Sequence, residues 1–180
     1  SIDQNGTISL APQFSEVYKT GQQFIWSSVA DAAGNVYLGT GGEGKIFKVN
    51  AAGVGGEMTD LAEMNVSALA IGNGGELYAA TSPDGKVYRI DSTGKATVYF
   101  EPKEKYIWAL TVTSDGLSVA TGDGGKLYKV KTAGATAEAS LMFDSSETHI
   151  ISLAVDKSGS LYAGTDSNGI VLRFGADGKA

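Results

Sequence analysis

Three glycines recur in one frame, four times over, and no other feature of the chain restricts its fold as tightly. The first repeat runs Gly34-Asn-Val-Tyr-Leu-Gly-Thr40, then Gly44-Lys-Ile-Phe-Lys-Val49, then a turn at Gly53. Gly75, Gly85 and Gly94 mark the second repeat, Gly116, Gly125 and Gly134 the third, and Gly159, Gly169 and Gly178 the fourth. Twelve of the 25 glycines thus occupy three repeated turn positions. The accompanying threonines, Thr40, Thr81, Thr121 and Thr165, step by 41, 40 and 44 residues, and the third repeat is one residue short between Gly116 and Thr121. A chain with such a period is built from copies of one supersecondary unit, none of which can bury its apolar face alone.

Between the glycines the apolar stretches, such as Leu69 to Ile71, Leu77 to Ala79 and Val87 to Ile90, are too short for helices. They are bounded by Gly, Asp, Asn and Ser, as strands are. No apolar period of 3.6 residues is found. Apolar side chains occur on both faces of the middle strands (Ile46 and Phe47, Val87 and Tyr88, Leu127 and Tyr128), which suits sheets stacked face to face. Four antiparallel strands in about 42 residues is the size of a propeller blade. The spacing therefore predicts an all-β propeller of four four-stranded blades in one domain, over approximately 21–64, 65–105, 106–148 and 149–180, the last completed by a strand from 7–18.

That last assignment follows from phase. Gly6 sits where the turn before an outermost strand belongs, and the chain stops two residues after Gly178, before the fourth blade's outer strand can form. From Gly6 to Gly178 is 172 residues, four periods of 43. Pairing of the first strand into the last blade would close the ring and remove an open sheet edge.

The frame Gly-x-[Leu/Val]-Tyr-x-[Gly/Ala]-Thr-x-x-x-Gly-Lys-[Ile/Val/Leu]-[Phe/Tyr]-[Lys/Arg]-[Val/Ile] resembles bacterial β-propeller repeats of the broad WD40-like, NHL and quinoprotein (PQQ)-like kind, over essentially the whole chain. The Gly-His to Trp-Asp frame of true WD40 blades is missing. So is the tryptophan-docking motif of quinoprotein enzymes, since Trp26 and Trp108 precede innermost strands. The resemblance thus implies the fold and no specific enzyme family. Small residues at Ser27, Ala68, Ala109 and Ser152 on the innermost strands resemble rings of six to eight blades. The expected ring is an eight-bladed homodimer or part of a longer propeller, with a closed four-blade monomer as the other option.

Composition excludes several chemistries. With no cysteine and one histidine, His149, a disulfide framework, thiol catalysis and a multi-histidine zinc site are ruled out, and neither cofactor nor metal is expected. Twenty acidic against 14 basic residues argue against a nucleic-acid backbone as partner. No 18-residue apolar run exists for a membrane span. The chain starts at Ser1 without a basic-then-apolar leader, which a removed export signal explains as well as trimming does; an extracytoplasmic, periplasmic location is favoured.

Candidate site residues follow from blade topology. Loops between second and third strands lie on the ring face that also carries the connections into the innermost strands. Glu43, Asp84, Asp123 and Asp166 give one carboxylate per blade there, joined by Glu63, Glu101, Glu104, Asp144 and Glu147. The plain reading is turn carboxylates bonding their own backbone; the functional one is an acidic rim for a protein or small polar ligand. In Asp144-Ser-Ser-Glu147-Thr-His149, His149 beside carboxylates is a candidate general base, or a loop histidine bonding the backbone. Trp26, Tyr106 and Trp108 open innermost strands, where aromatics stack on sugars or planar rings, or else wedge blades apart. Candidate ligand residues are therefore Trp26, Tyr106, Trp108, Glu147, His149 and Asp166. The lysines Lys45, Lys86 and Lys126 are read as partners of neighbouring turn carboxylates. The leading expectation is a non-catalytic scaffold for ligand sensing or protein interaction. The alternative is an enzyme like the lactonase and lyase propellers, resting on His149 with Asp31 and Asp156, although those aspartates fall on the face opposite His149.

Overall fold

The computed structural model describes residues 2, 4–8, 10, 14–133, 136–175 and 179–180; Gly134 and Gly178 of the repeat frame lie outside them. The described residues form fifteen strands and no helix, hence none long and apolar enough to cross a membrane. Unit one contains β1 (Phe24–Ala30), β2 (Val36–Gly41), β3 (Lys45–Val49) and β4 (Gly55–Asp60). Unit two contains β5 (Asn65–Ile71), β6 (Leu77–Ser82), β7 (Val87–Ile90) and β8 (Ala96–Phe100). Unit three contains β9 (Tyr106–Thr113), β10 (Gly116–Gly122), β11 (Lys126–Ala133) and β12 (Thr136–Asp144), and unit four β13 (Ile150–Val155), β14 (Leu161–Thr165) and β15 (Val171–Phe174). Within each unit consecutive strands pair antiparallel, and a single pair, Gly41 with Asn65, links units one and two.

The repeated residues earn their places in the turns. Before β2 and β14, Asp31 and Asp156 accept backbone N–H bonds from the residues two and four positions on, and Gly34 and Gly159 take the positive φ (82° and 84°) that this turn requires. Between second and third strands the threonine closes the hairpin. Thr40 Oγ1 donates to the Lys45 carbonyl (2.9 Å) and accepts from Lys45 N–H (3.0 Å), and Thr81, Thr121 and Thr165 repeat the clamp on Lys86, Lys126 and Ile170. All four threonines are buried, so the two backbone groups are satisfied without water.

The core is three inter-unit layers. Tyr37, Ile46 and Leu61 of unit one meet Val66, Leu77, Ala79 and Ile90 of unit two. Ala80 and Val87, on the other face of unit two, meet Ile107, Leu117 and Val130 of unit three. Ala120 and Leu127 then meet Ile150, Leu161, Ala163 and Phe174 of unit four. Alternation of side chains along a strand explains why Ala79 and Ala80 serve different layers. Innermost strands pack in series, β1 on β5, β5 on β9 and β9 on β13. The outward flanks of β1 and β13 stay open, with Phe24, Ile25, Trp26, Ile151 and Val155 exposed.

Two expectations are not met among the described residues. Unit four has three strands, and among the described residues nothing pairs with the outer side of β15. Residues 7–18, expected to complete it, form no strand over their described part beyond an isolated bridge of Ile2 with Ile8. Val17 and Tyr18 instead lie over Gly53 and Gly55 of unit one, with the Tyr18 ring 6.3 Å from that of Phe47. The reason is burial: Phe47 points away from unit two, where no preceding unit stands, and Tyr18 covers it. Residues 9 and 11–13 of the expected strand lie outside the described residues.

Candidate functional site

Each innermost strand is bulged at the same place. The register against the second strand slips at Trp26, Ser67, Trp108 and Ile151, so these four residues occupy equivalent positions, and the first three line one groove. Their partners differ in size to match. Trp26 lies flat against Gly41 and Trp108 against Gly122, leaving no room for a Cβ at either glycine, whereas Ser67 stands beside Ser82. Each indole is stacked on the ring two residues before it: Trp26 on Phe24 (5.5 Å, 21°) and Trp108 on Tyr106 (5.1 Å, 15°).

A groove of about 460 Å³ results, with Trp26 on one wall, Tyr106 and Trp108 on the other, and Asn65, Ser67 and Ser82 of unit two between them. That size falls in the range of about 300–1,000 Å³ usual for small-molecule sites. Ser67 Oγ donates to the carbonyl of Ile107 (2.6 Å) and lies 3.2 Å from that of Ala80. Ser27 repeats the contact on Val66 (2.9 Å), so these hydroxyls tie neighbouring innermost strands together and keep lone pairs for a ligand. The sequence named the three aromatics; Asn65, Ser67 and Ser82 as its floor were missed, and the small residues interrupting an aromatic position were the available signal.

His149 does not line this groove but touches two residues that do, in a fixed role. Its Nδ1 accepts from Trp108 Nε1–H (3.1 Å) and from Asp123 N–H (3.2 Å), and its ring meets those of Trp108 and Tyr106 edge-on. Asp166 accepts from His149 N–H (2.9 Å) and places a carboxylate oxygen 3.9 Å from Nε2. The lone pair of Nδ1 is committed to two donors, so His149 positions Trp108 and the loop of Asp123. Glu147, the remaining candidate, is turned elsewhere: it is 6% exposed and accepts from Asn168 Nδ2 (2.8 Å) and N–H (3.1 Å). The structure brings Tyr106, Trp108, His149 and Asp166 into one cluster, sets Trp26 across the groove, and leaves Glu147 out of it.

The rim is more nearly neutral than the sequence suggested. Glu63 accepts from Lys86 (2.7 Å) and from the Tyr88 hydroxyl (2.7 Å), and Glu104 accepts from Lys126 (2.7 Å). These carboxylates, at the start of the innermost strands, hold the lysines above their ordinary pKa, while burial and Glu63 push Tyr88 up to about 12. The expected pairing of lysine with the adjacent turn carboxylate is seen at Lys45 and Glu43 (3.1 Å), where hydrogen bonds from Lys45 and Gln22 hold Glu43 below the usual carboxylate range. Lys86 and Lys126 reach past Asp84 and Asp123, because Glu63 and Glu104 are the more buried partners. The signal was present: Gln22, Glu63 and Glu104 stand two residues before their innermost strands, and Glu147 three. A second groove, about 500 Å³, mixes Asp84, Glu101, Glu104 and Asp123 with Lys86, Lys103 and Lys105. Among the described residues no three His, Asp or Glu side chains converge to hold a metal. Asp31 and Asp156 are turn residues, Asp156 held down to about pKa 2 by hydrogen bonds from Ser158 and Ser160.

No family model and no curated protein matches the sequence. Solved structures do. Virginiamycin B lyase from Staphylococcus aureus superposes with TM-score 0.68 at 17% identity, covering 96% of this chain and 61% of the lyase. A putative gluconolactonase gives 0.66 at 14% identity over 84% of this chain and 60% of its own, and a chain of a nidogen/laminin complex 0.68 at 14% identity over 78% and 56%. The chain thus spans about three-fifths of the length of the proteins it resembles. At these identities the likeness shows the fold alone: an all-β, propeller-like arrangement of antiparallel sheets.

Proposed function

We propose that the chain supplies four blades of a larger propeller ring and acts as a non-catalytic binding module, taking a flat or ring-shaped ligand between Trp26 and the Tyr106–Trp108 pair. The observation that carries this reading is the groove itself, in which stacked aromatic rings from units one and three face each other over the small polar residues of unit two. Aromatic faces hold a sugar or a planar ring by contact area, and the hydroxyls below fix its orientation. The rim of Glu43, Asp84, Asp123 and Asp166 is a weaker candidate for a polar or protein partner, because lysines share it. Blades completing the ring would come from a second copy or from further sequence; the exposed flanks of β1 and β13 and the edge of β15, unpaired among the described residues, favour such a completion.

The chain has two tryptophans and both line the groove, so intrinsic fluorescence reports on it directly. Titration with a panel of oligosaccharides and aromatic glycosides should give saturable quenching by at least one class. Trp26→Ala and Trp108→Ala should each weaken it by about tenfold, as expected for an anchoring aromatic. A flat response across the panel, or binding that both variants retain, would overturn the reading.

One observation favours a second reading. His149, Asp166 and Trp108 form a cluster at the groove, and among the similar structures is a catalytically inactive histidine-to-alanine virginiamycin B lyase with quinupristin. Under that reading the chain belongs to a lyase- or lactonase-type enzyme with a histidine site at His149, whose Nε2 faces Asp166. Turnover of a lactone or of quinupristin that His149→Ala abolishes would replace the binding module with the enzyme.

A further inference from the structure

Along the aromatic groove one berth is empty. Units one and three each set a stacked pair at the bulge, Phe24 with Trp26 and Tyr106 with Trp108, over Gly41 and Gly122. At the same positions unit two carries Asn65 and Ser67, with Ser82 in place of the glycine. A pair of rings is therefore missing from the middle of the row, and the groove of about 460 Å³ lies between the two that remain. It opens to solvent, with Trp26 58% exposed and Asn65, Ser67, Tyr106 and Trp108 half-buried.

The polar groups in this berth are of few kinds. Trp108 Nε1–H is taken by His149 (3.1 Å). Asn65, which stands against Gly41 as His149 stands against Gly122, accepts at Oδ1 from Gly42 N–H (3.3 Å) and donates from Nδ2 to the Ser82 carbonyl (3.3 Å). That leaves the Trp26 Nε1–H and the Ser82 hydroxyl without a hydrogen-bond partner among the described residues. The one enclosed hydroxyl in that condition is Ser118, so Ser82 Oγ is open to the groove it lines. Ser67 Oγ gives its proton to the Ile107 carbonyl (2.6 Å) and can only accept. Met64 and Pro83, beside Asn65 and Ser82 in sequence, add apolar surface, and no lining residue is charged.

A ligand that matches this set is neutral, with a ring for the indole faces, an acceptor for Ser82, a donor for Ser67 and a small apolar group next to them. Hydroxyls alone match it poorly, because each brings a proton and the groove has no carboxylate to receive it. An acetamido group supplies all three parts: a carbonyl, an N–H and a methyl. Given the binding role proposed above, we infer that the groove takes a neutral N-acetylated amino sugar. Its pyranose ring fills the empty berth between Trp26 and Trp108. Its acetamido carbonyl accepts from Ser82 Oγ–H, the amide N–H donates to Ser67 Oγ, and the methyl rests on Met64 and Pro83.

The probes are N,N′-diacetylchitobiose and cellobiose, which carries a hydroxyl in place of each acetamido group. A third is the disaccharide of N-acetylglucosamine with N-acetylmuramic acid, acetylated but bearing a carboxylate. By tryptophan fluorescence, diacetylchitobiose should bind saturably and about tenfold more tightly than cellobiose, and the acidic disaccharide no more tightly than diacetylchitobiose. Ser82→Ala should weaken diacetylchitobiose by about fivefold, one neutral hydrogen bond, and leave cellobiose unchanged. Ser67→Trp with Ser82→Gly copies the flanking units, fills the berth and should abolish binding, read by calorimetry because it adds an indole. Should that double variant not fold, Ser82→Ala carries the test. Equal affinity for diacetylchitobiose and cellobiose, tighter binding of the acidic disaccharide, or unchanged affinity in either variant would overturn the inference and leave the groove a binding site for another ligand. Absence of a response to diacetylchitobiose would overturn it as well; the binding-module reading falls with it only when every other oligosaccharide and aromatic glycoside is silent too.

Discussion

Thr81 illustrates how much of this fold rests on single polar atoms placed where water cannot reach. Its hydroxyl lies 3.2 Å from Lys86 N–H and 3.3 Å from the Lys86 carbonyl, and the threonine itself is fully buried. Thr81→Val keeps the shape but strands the Lys86 N–H, while the Lys86 carbonyl keeps its bond from the Thr81 N–H (3.0 Å). It should lower stability by about 1–3 kcal/mol in urea unfolding, with Thr81→Ser recovering much of the loss. The turn aspartates act by charge at the surface. Asp31, Asp91 and Asp156 are all held below the ordinary carboxylate value, chiefly by hydrogen bonds from side chains of their own turns: Asn35, Thr93 and Ser158. A lowered folded-state pKa adds stability that is complete above the unfolded value of 3.8 and is lost as pH falls through the folded value, about 2 for Asp156. Wild-type Tm should therefore fall between pH 4 and pH 2. Asp156→Asn, which can keep the turn as Asn50 does in unit one, should flatten that fall while changing little at pH 7.

At the scale of strands, the bulge pairs a large residue with a small one. Gly122 has no left-handed φ, so its backbone tolerates any residue; only the indole of Trp108 and the ring of His149 forbid a side chain there. Gly122→Ala should cost about 1–3 kcal/mol by overpacking. It should also shift tryptophan emission to the red as Trp108 is pushed into solvent. The double change Trp108→Ser with Gly122→Ser copies unit two and should recover the stability; if it does not, the bulge is not the interchangeable element described. Strand phase, turns and the aromatic candidates were legible in the sequence because glycines and turn aspartates mark local backbone geometry. Pairings across strands were not. That Gly122 is the bed of Trp108, or that Lys86 reaches Glu63 and not Asp84, depends on register and burial, which distant segments set. Residues 14–18 were misplaced for a related reason: arithmetic gave them an open edge on unit four, but Phe47 on unit one offered an apolar surface to cover.

The whole molecule is an arc. Its three buried layers lie between units, so units one and four each have one face that no neighbour covers. On unit one Tyr18 covers Phe47 but leaves Ile25, 50% exposed. On unit four Ile151 is 50% exposed and Val171, on the strand with the open edge, 72%. A bare strand edge beside apolar side chains pairs readily with another chain. If a second copy completes the ring, the purified 180-residue chain should scatter light at micromolar concentration as a particle of about twice its 18.5 kDa. Ile151→Glu combined with Val171→Lys should return it to the single-chain mass without lowering Tm, since neither side chain is part of a buried layer. The groove separates this outcome from nonspecific association. Its walls come from units one and three of the same chain, so tryptophan quenching by ligand should persist in the charged variant. A wild type that already runs at 18.5 kDa would remove the second copy and leave additional sequence as the source of the missing blades.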